Sequence, residues 1–105
     1  MNIEKWTAKM QEAIQKAITM ASEMGHQVVD VEHFLLALLE DNAGILYRVL
    51  SKANVNIADL QNKLNVRLQG KPIVSNVDIN SIRISYDLNQ LLSLADKQMH
   101  NFKDE

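Results

Sequence analysis

The chain of 105 residues contains no cysteine. This absence excludes disulfide bonds, thiolate metal ligands and a cysteine nucleophile. Glycine is almost as scarce, and its three occurrences, Gly25, Gly44 and Gly70, are isolated from one another. A phosphate-binding loop needs clustered glycines whose backbone N–H groups surround the phosphates. We therefore expect no cofactor, and in particular no ATP or magnesium site, within this segment.

Basic clusters and long apolar segments are also absent. Eleven Lys and Arg face thirteen Asp and Glu, for a net charge of -2, whereas a nucleic-acid-binding domain presents a basic face. The longest apolar run, residues 34–39, is much shorter than the ~20 residues that span a bilayer. The first residues show no signal-peptide pattern. We expect a cytoplasmic domain with neither nucleic acid nor membrane as a partner.

The sequence is rich in aliphatic residues at helical spacing. Hydrophobic residues make up 47% of the chain and aromatic residues only 5%, which favours an aliphatic helical core. Turn and cap residues divide the chain into five segments, which predicts an all-α fold, a compact bundle of about five helices. The first helix is predicted to run from Thr7, as its N-cap, to Gly25, and further helices follow the caps Asp30, Asn56 and Ser85. A short helix starts at 45 and ends near 53–54, and residues 71–84 form an extended connector rather than a full sheet strand.

The fifth predicted helix repeats the first. With Ser85 aligned on Thr7, the apolar positions of the two helices coincide, although any two amphipathic helices match in part. The buried stripe predicted for the fifth helix consists of Leu88, Leu91, Leu92, Ala95, Met99 and Phe102. The chain ends at the point where the second predicted helix would follow. The pattern predicts one repeat over about 5–70, a connector over 71–84 and the truncated start of a second repeat over 85–105.

Three segments carry a resemblance to a known family. The first is the Gly25-His26 turn, and the third is the turn at 50–56. The second, residues 30–41, is an apolar helix whose first residues include Asp30, Glu32 and His33. Together they resemble the Clp N-terminal repeat, and residues 1–7 with 71–74 are most similar to the ClpB branch of that family. The resemblance covers 1–105, so the whole chain is identified as a member of the Clp N-terminal domain family.

This resemblance implies a function. In the family, two repeats pack around an apolar groove that takes exposed segments of unfolded or aggregated proteins. Leu92 and Leu94 match groove positions, and Thr7 lies near the same seam, whereas Gln98 departs from the apolar pattern one turn further on. The full-length protein implied is a homohexameric ATPase that uses ATP and magnesium and cooperates with other chaperones. This segment would carry no catalytic site.

Less specific interpretations stay open beside the groove. Leu94 is equally an ordinary exposed leucine, and Leu92 is better explained by packing. Glu32 and His33 suit a helix start better than a metal site, because the three histidines lack ligand spacing. A helix-turn-helix over 30–50 would offer only Arg48 for reading bases.

Two further functions stay open as well. A ClpA- or ClpC-type domain would dock a folded adaptor protein for a protease instead of an unfolded client. A self-associating helical module would cover the apolar stripe of its fifth helix with another copy of the chain.

Overall fold

The computed structural model describes the backbone of residues 3–103 and the side chains of residues 8–98. Five α-helices dominate it, as the apolar spacing predicts, and two short strands pair residues 28–29 with residues 83–84. In chain order the elements are α1 (Ile3–Glu23), β1 (Val28–Val29), α2 (Val31–Leu39), α3 (Ile45–Lys52), α4 (Ile57–Gln69), a 3-10 turn (Ile79–Ser81), β2 (Arg83–Ile84) and α5 (Tyr86–Lys103).

Most predicted boundaries are confirmed because each depends on a local cap. The carboxylate of Asp30 accepts the Val31 N–H at 2.8 Å, and the side chain of Asn56 accepts the Asp59 N–H at 3.0 Å. Ser85 Oγ likewise accepts the Leu88 N–H at 3.0 Å. Such bonds satisfy backbone donors that a helix start leaves unpaired.

The turns after α1 and α3 use left-handed residues, as their sequences indicate. Gly25 has φ +78° and Asn54 has φ 61°. A Cβ at Gly25 would also lie 2.8 Å from Cγ2 of Ile73 and 3.3 Å from the Val74 carbonyl oxygen, so the connector would have to shift. The connector therefore packs directly on the turn that ends α1, and the Val74 N–H donates to the Gly25 carbonyl at 2.8 Å.

The predicted start of the first helix is wrong. Helix α1 begins at Ile3, so Thr7 is its fifth residue and not its N-cap. Residues 3–6 contain no proline or glycine that would stop the helix, and Thr is tolerated inside a helix at a cost of only ~0.7 kcal/mol. A cap-forming residue type marks a possible start, but it does not force one.

The connector differs from its prediction in two respects, since it contains a 3-10 turn at Ile79–Ser81 and a short strand. After the 3-10 turn, Arg83 and Ile84 pair in parallel with Val28 and Val29. A sequence of two residues carries no alternation that would predict a strand, so this pairing is invisible before the fold is known. It fixes the entry of α5 against the turn that leads into α2.

The core divides into two hydrophobic clusters on either side of α2. The alanine cluster joins α1, α2, β1 and the start of α5, and its buried members are Ala13, Ala17, Ala21, Val29, Phe34, Ala37 and Leu88. The leucine cluster joins α2 to α4, with α3 packed on it, and its buried members are Leu36, Leu39, Ile57, Leu64 and Leu68. Within residues 3–103, no helix has the length and apolar character that a membrane span requires.

Candidate functional site

The outer face of α5 carries an exposed apolar pair. Leu91 and Leu94 lie one helical turn apart, and Leu94 is 56% exposed. Leu91 was expected on the buried stripe of this helix, but it lies at the stripe's edge and is 36% exposed. The buried stripe is narrower than predicted because α5 packs mainly on α2 through Leu88, which is fully buried. We call Leu91 and Leu94 the α5 apolar pair.

The three predicted groove residues occupy different environments. Leu92 is half-buried and packs against the alanine cluster, whereas Leu94 points away from that cluster into solvent. Thr7 lies in α1, and its side chain is outside the described residues. Beside it, a surface depression of about 660 Å³ is lined by α1 residues from Ala8 to Lys16 and includes neither Leu92 nor Leu94. This depression therefore does not join the three positions.

A polar network anchors α5 to the first part of the chain. Its centre is Asp30, whose Oδ1 accepts a hydrogen bond from Ser85 Oγ at 2.8 Å while its Oδ2 accepts one from Lys71 Nζ at 2.9 Å. The Lys71 ammonium also lies 3.8 Å from Glu32 Oε1. One carboxylate at the start of α2 thus holds the connector and the N-cap of α5. We call Asp30, Lys71 and Ser85 the Asp30 network.

Two buried histidines support the backbone of Asp30. The Asp30 N–H donates to Nδ1 of His33 at 2.9 Å, which closes a capping box with histidine at its third position. His33 therefore hydrogen-bonds at the helix start, as predicted. Because a backbone N–H only donates, Nδ1 of His33 is an acceptor and the neutral ring carries its proton on Nε2. That Nε2 lies 2.9 Å from Nδ1 of His26, so His33 donates to His26.

Burial and neighbouring charges shift the pKa values of the two histidines and of Asp30 and Lys71. Burial, with smaller contributions from His26 and Lys71, lowers the pKa of His33 to about 4. Burial and the Lys71 charge also lower the pKa of His26. For Asp30, burial raises the pKa, but hydrogen bonds from Lys71, Val31 and Ser85 outweigh it and the pKa is lowered. The hydrogen bond to Asp30 raises the pKa of Lys71. At neutral pH the histidines are neutral and the Asp30–Lys71 pair is charged.

No metal site is assembled in the part of the chain that the structure describes. No group of three or more His, Asp or Glu side chains within it has a geometry that could hold a metal ion. A cleft of about 200 Å³ lies beside the Asp30 network and is lined by residues of the α1–β1 turn and the connector. Its two charged side chains, Asp30 and Lys71, are already paired with each other.

Comparison with known proteins decides the family. The family model for the Clp repeat (R) N-terminal domain matches residues 5–105. This chain belongs to the Clp N-terminal domain family. The whole chain is 36% identical over 107 residues to chaperone protein ClpB of Bacillus cereus. It is 31% identical to ClpB of Vibrio cholerae over 99% of its length and 27% identical to ClpB of Porphyromonas gingivalis. The Clp N domain described here spans 12% of the length of these ClpB chaperones.

Residue patterns pointed to the family but missed the network that holds this Clp N domain together. The Gly25-His26 turn and Asp30 were singled out for family resemblance and capping, respectively. The hydrogen bonds that join Asp30 to Lys71 and to Ser85 span 41 and 55 residues, and no local pattern predicts them. The one sequence feature that could have indicated this network is Asp30 itself. A carboxylate that caps a helix still has lone pairs that can accept hydrogen bonds from further donors.

Proposed function

We propose that this Clp N domain recognises substrates for an ATP-dependent, ClpB-type protein disaggregase. Its ligands would be apolar segments of unfolded or aggregated proteins, bound at a surface that includes Leu94, the neighbouring Leu92 and Thr7. The observation that carries the proposal is an exposed apolar pair, Leu91 and Leu94, on a helix anchored to the rest of a Clp N domain.

The physical chemistry of the α5 apolar pair suits weak, tolerant binding. Burying apolar area contributes ~25 cal/mol per Å², so covering two leucines with a client side chain gives modest affinity. Few directional hydrogen bonds are needed, and many apolar sequences would fit. Avidity would strengthen such capture if several copies act together in one assembly.

The proposal extends to the protein of which this domain would be part. That protein would be a homohexamer that acts in the cytoplasm with other chaperones, and its ATP and magnesium would bind elsewhere in the chain. The N-terminal domain itself would take no part in catalysis. Residues 5–70 would form a first repeat, 71–84 a connector, and 85–105 the beginning of a second repeat.

A fluorescence titration with a permanently unfolded, dye-labelled protein tests the proposal. Leu94→Ser should weaken binding several-fold, whereas Val49→Ser should leave it unchanged. Val49 is a matched control because it is 54% exposed on α3, which packs on the leucine cluster away from α5. Thr7→Ala tests the α1 side of the surface. Circular dichroism and light scattering establish that each variant is folded and monomeric.

Each outcome of this titration points in one direction. Loss of binding in Leu94→Ser alone supports client capture by α5. If Leu94→Ser and Val49→Ser bind the unfolded probe equally well, or if the wild type does not bind it, Leu94 has no role in client binding. Binding to a folded adaptor but not to the unfolded probe would favour a ClpA- or ClpC-type domain. A mass that rises with concentration would favour self-association.

A further inference from the structure

The histidine pair, His26 and His33, does not belong to the proposed client surface, which consists of Thr7, Leu92 and Leu94. His26 and His33 are both buried, and their rings meet edge to face with centroids 5.1 Å apart. His33 bonds the backbone of Asp30, and Asp30 in turn bonds Lys71 and Ser85. The pair therefore lies directly beneath the contacts that hold the connector and α5 in place.

This geometry leaves no position for an additional proton. Nδ1 of His33 faces the Asp30 N–H at 2.9 Å, and Nδ1 of His26 faces Nε2–H of His33 at 2.9 Å. Each of these nitrogens already accepts a hydrogen bond, and each is the atom that would take the proton. Protonation of either ring would set two N–H groups against each other in a buried site, which is strongly unfavourable.

The backbone next to the histidine pair forms the junction between residues 27–29 and residues 83–85. The Arg83 N–H donates to the Gln27 carbonyl at 3.1 Å, and the Ser85 N–H donates to the Val29 carbonyl at 2.9 Å. Gln27 directly follows His26. A displacement of His26 or of Asp30 would therefore disturb both the strand pairing and the capping contact of α5.

We propose that the His26–His33 pair is an acid-sensitive latch, whose protonation releases the connector and the start of α5 from α2 while the leucine cluster stays folded. The released segment would be residues 71–88. The latch holds α5 whether or not the helix binds clients, so it stands independently of the function proposed above.

The charges around the pair set the pH range of release. Lys71 opposes protonation of both rings, whereas Asp30 and Glu32 favour protonation of His33. The pKa of His33 is about 4 in the closed state, below the ordinary value of 6.5, so the open state binds the proton more tightly. The latch is then fully closed above pH 6.5 and weakens progressively as the pH falls toward 4. Asp30 stays ionised over most of this range because its own pKa is lowered.

Native-state hydrogen exchange on the whole chain tests the latch. The probes are the Arg83, Ser85 and Leu88 amides at the junction, with the Leu64 and Leu68 amides of α4 as internal reference. Protection factors, corrected for intrinsic exchange, are measured at pH 7.0, 5.5 and 4.5. We expect the junction amides to lose at least roughly tenfold protection at pH 4.5 relative to pH 7.0, while the α4 amides change little.

The matched variant is His33→Gln. Glutamine is a normal third residue of a capping box, so it keeps a bond to the Asp30 N–H but does not titrate. The acid-dependent loss at the junction should shrink several-fold in this variant. If the junction amides of His33→Gln lose as much protection in acid as those of the wild type, the latch proposal is wrong. It is also wrong if the α4 amides of the wild type lose as much protection as the junction amides.

A nitrogen NMR titration of the wild-type histidines gives an independent measurement should His33→Gln fail to fold. It should find the Nε2–H tautomer of His33 at pH 7 and titration of the pair coinciding with the loss of junction protection. An Nδ1–H tautomer, or titration at the ordinary histidine pKa without any loss of protection, contradicts the proposal.

Discussion

The region around the leucine cluster and the region around the alanine cluster are held together by different kinds of contact. The leucine cluster between α2 and α4 buries large side chains and contains no buried polar group. The alanine cluster lets α1 approach α2 closely but buries less apolar volume per residue, and the Asp30 network and the histidine pair lie beside it. The difference indicates that burial of large apolar side chains holds α4 in place. Helix α5 is held by the fully buried Leu88 and the half-buried Leu92, together with polar contacts of defined geometry.

The largest expected effect is a truncation in the leucine cluster. Leu68 is fully buried, so Leu68→Ala should lower the free energy of unfolding by about 2–5 kcal/mol through lost burial and a residual cavity. Urea denaturation followed by circular dichroism measures it. Val66→Ala on the same helix is the control, since Val66 is 65% exposed and should cost less than about 1 kcal/mol. Similar losses in both variants would contradict the assignment of α4 stability to buried area.

The alanine cluster should instead be sensitive to enlargement. Ala17 is fully buried on α1, and Ala17→Leu should cost about 1–3 kcal/mol because the close packing has no room for three added carbons. The same denaturation experiment measures the loss. Gln15→Leu places the same side chain at an exposed position of α1 and should be nearly neutral. A stabilised Ala17→Leu would show that the alanine cluster is loosely packed, and it would contradict the close approach of α1 to α2.

The Asp30 network predicts a smaller and pH-dependent effect. Asp30→Asn keeps a capping oxygen but removes the charge that pairs with Lys71, and should cost about 1–2 kcal/mol at pH 7. The pKa of Asp30 is lowered in the folded state, so its contribution is present above the ordinary carboxyl pKa and disappears as the pH falls through the folded value. Urea denaturation at pH 7 and pH 3 should find the two proteins converging in acid. A constant difference would mean that the charge is unimportant.

The smallest effect is expected at an exposed ion pair. Lys63 and Asp59 lie 3.1 Å apart on α4, but both side chains are more than half exposed. Lys63→Gln should change the free energy of unfolding by no more than about 0.5 kcal/mol, and 1 M salt should have little further effect. Lys71→Gln at the partly buried pair is the comparison. Equal effects at the two lysines would show that the Asp30 network is only another surface contact.

The candidate site was predictable only in part. The exposure of Leu94 followed from its position off the apolar stripe of α5, and the buried packing of Leu92 was the favoured interpretation. The exposure of Leu91 was not predicted, because stripe width depends on which helix lies opposite, and α5 rests on α2 through a narrow contact. The family resemblance supplied the idea of a groove, but whether Thr7, Leu92 and Leu94 bind a client stays a prediction.

The sequence by itself determined the features that act within a few residues. The caps at Asp30, Asn56 and Ser85, the left-handed turns at Gly25 and Asn54, and the helical class all follow from bonds and steric limits inside one turn. Only the tertiary structure decided that Asp30 meets Lys71 and Ser85, that His33 donates to His26, and that β1 pairs with β2. Those contacts join positions at least seven residues apart, beyond the reach of one helical turn. They exist because the fold brings polar groups together in buried places, where each must find a partner.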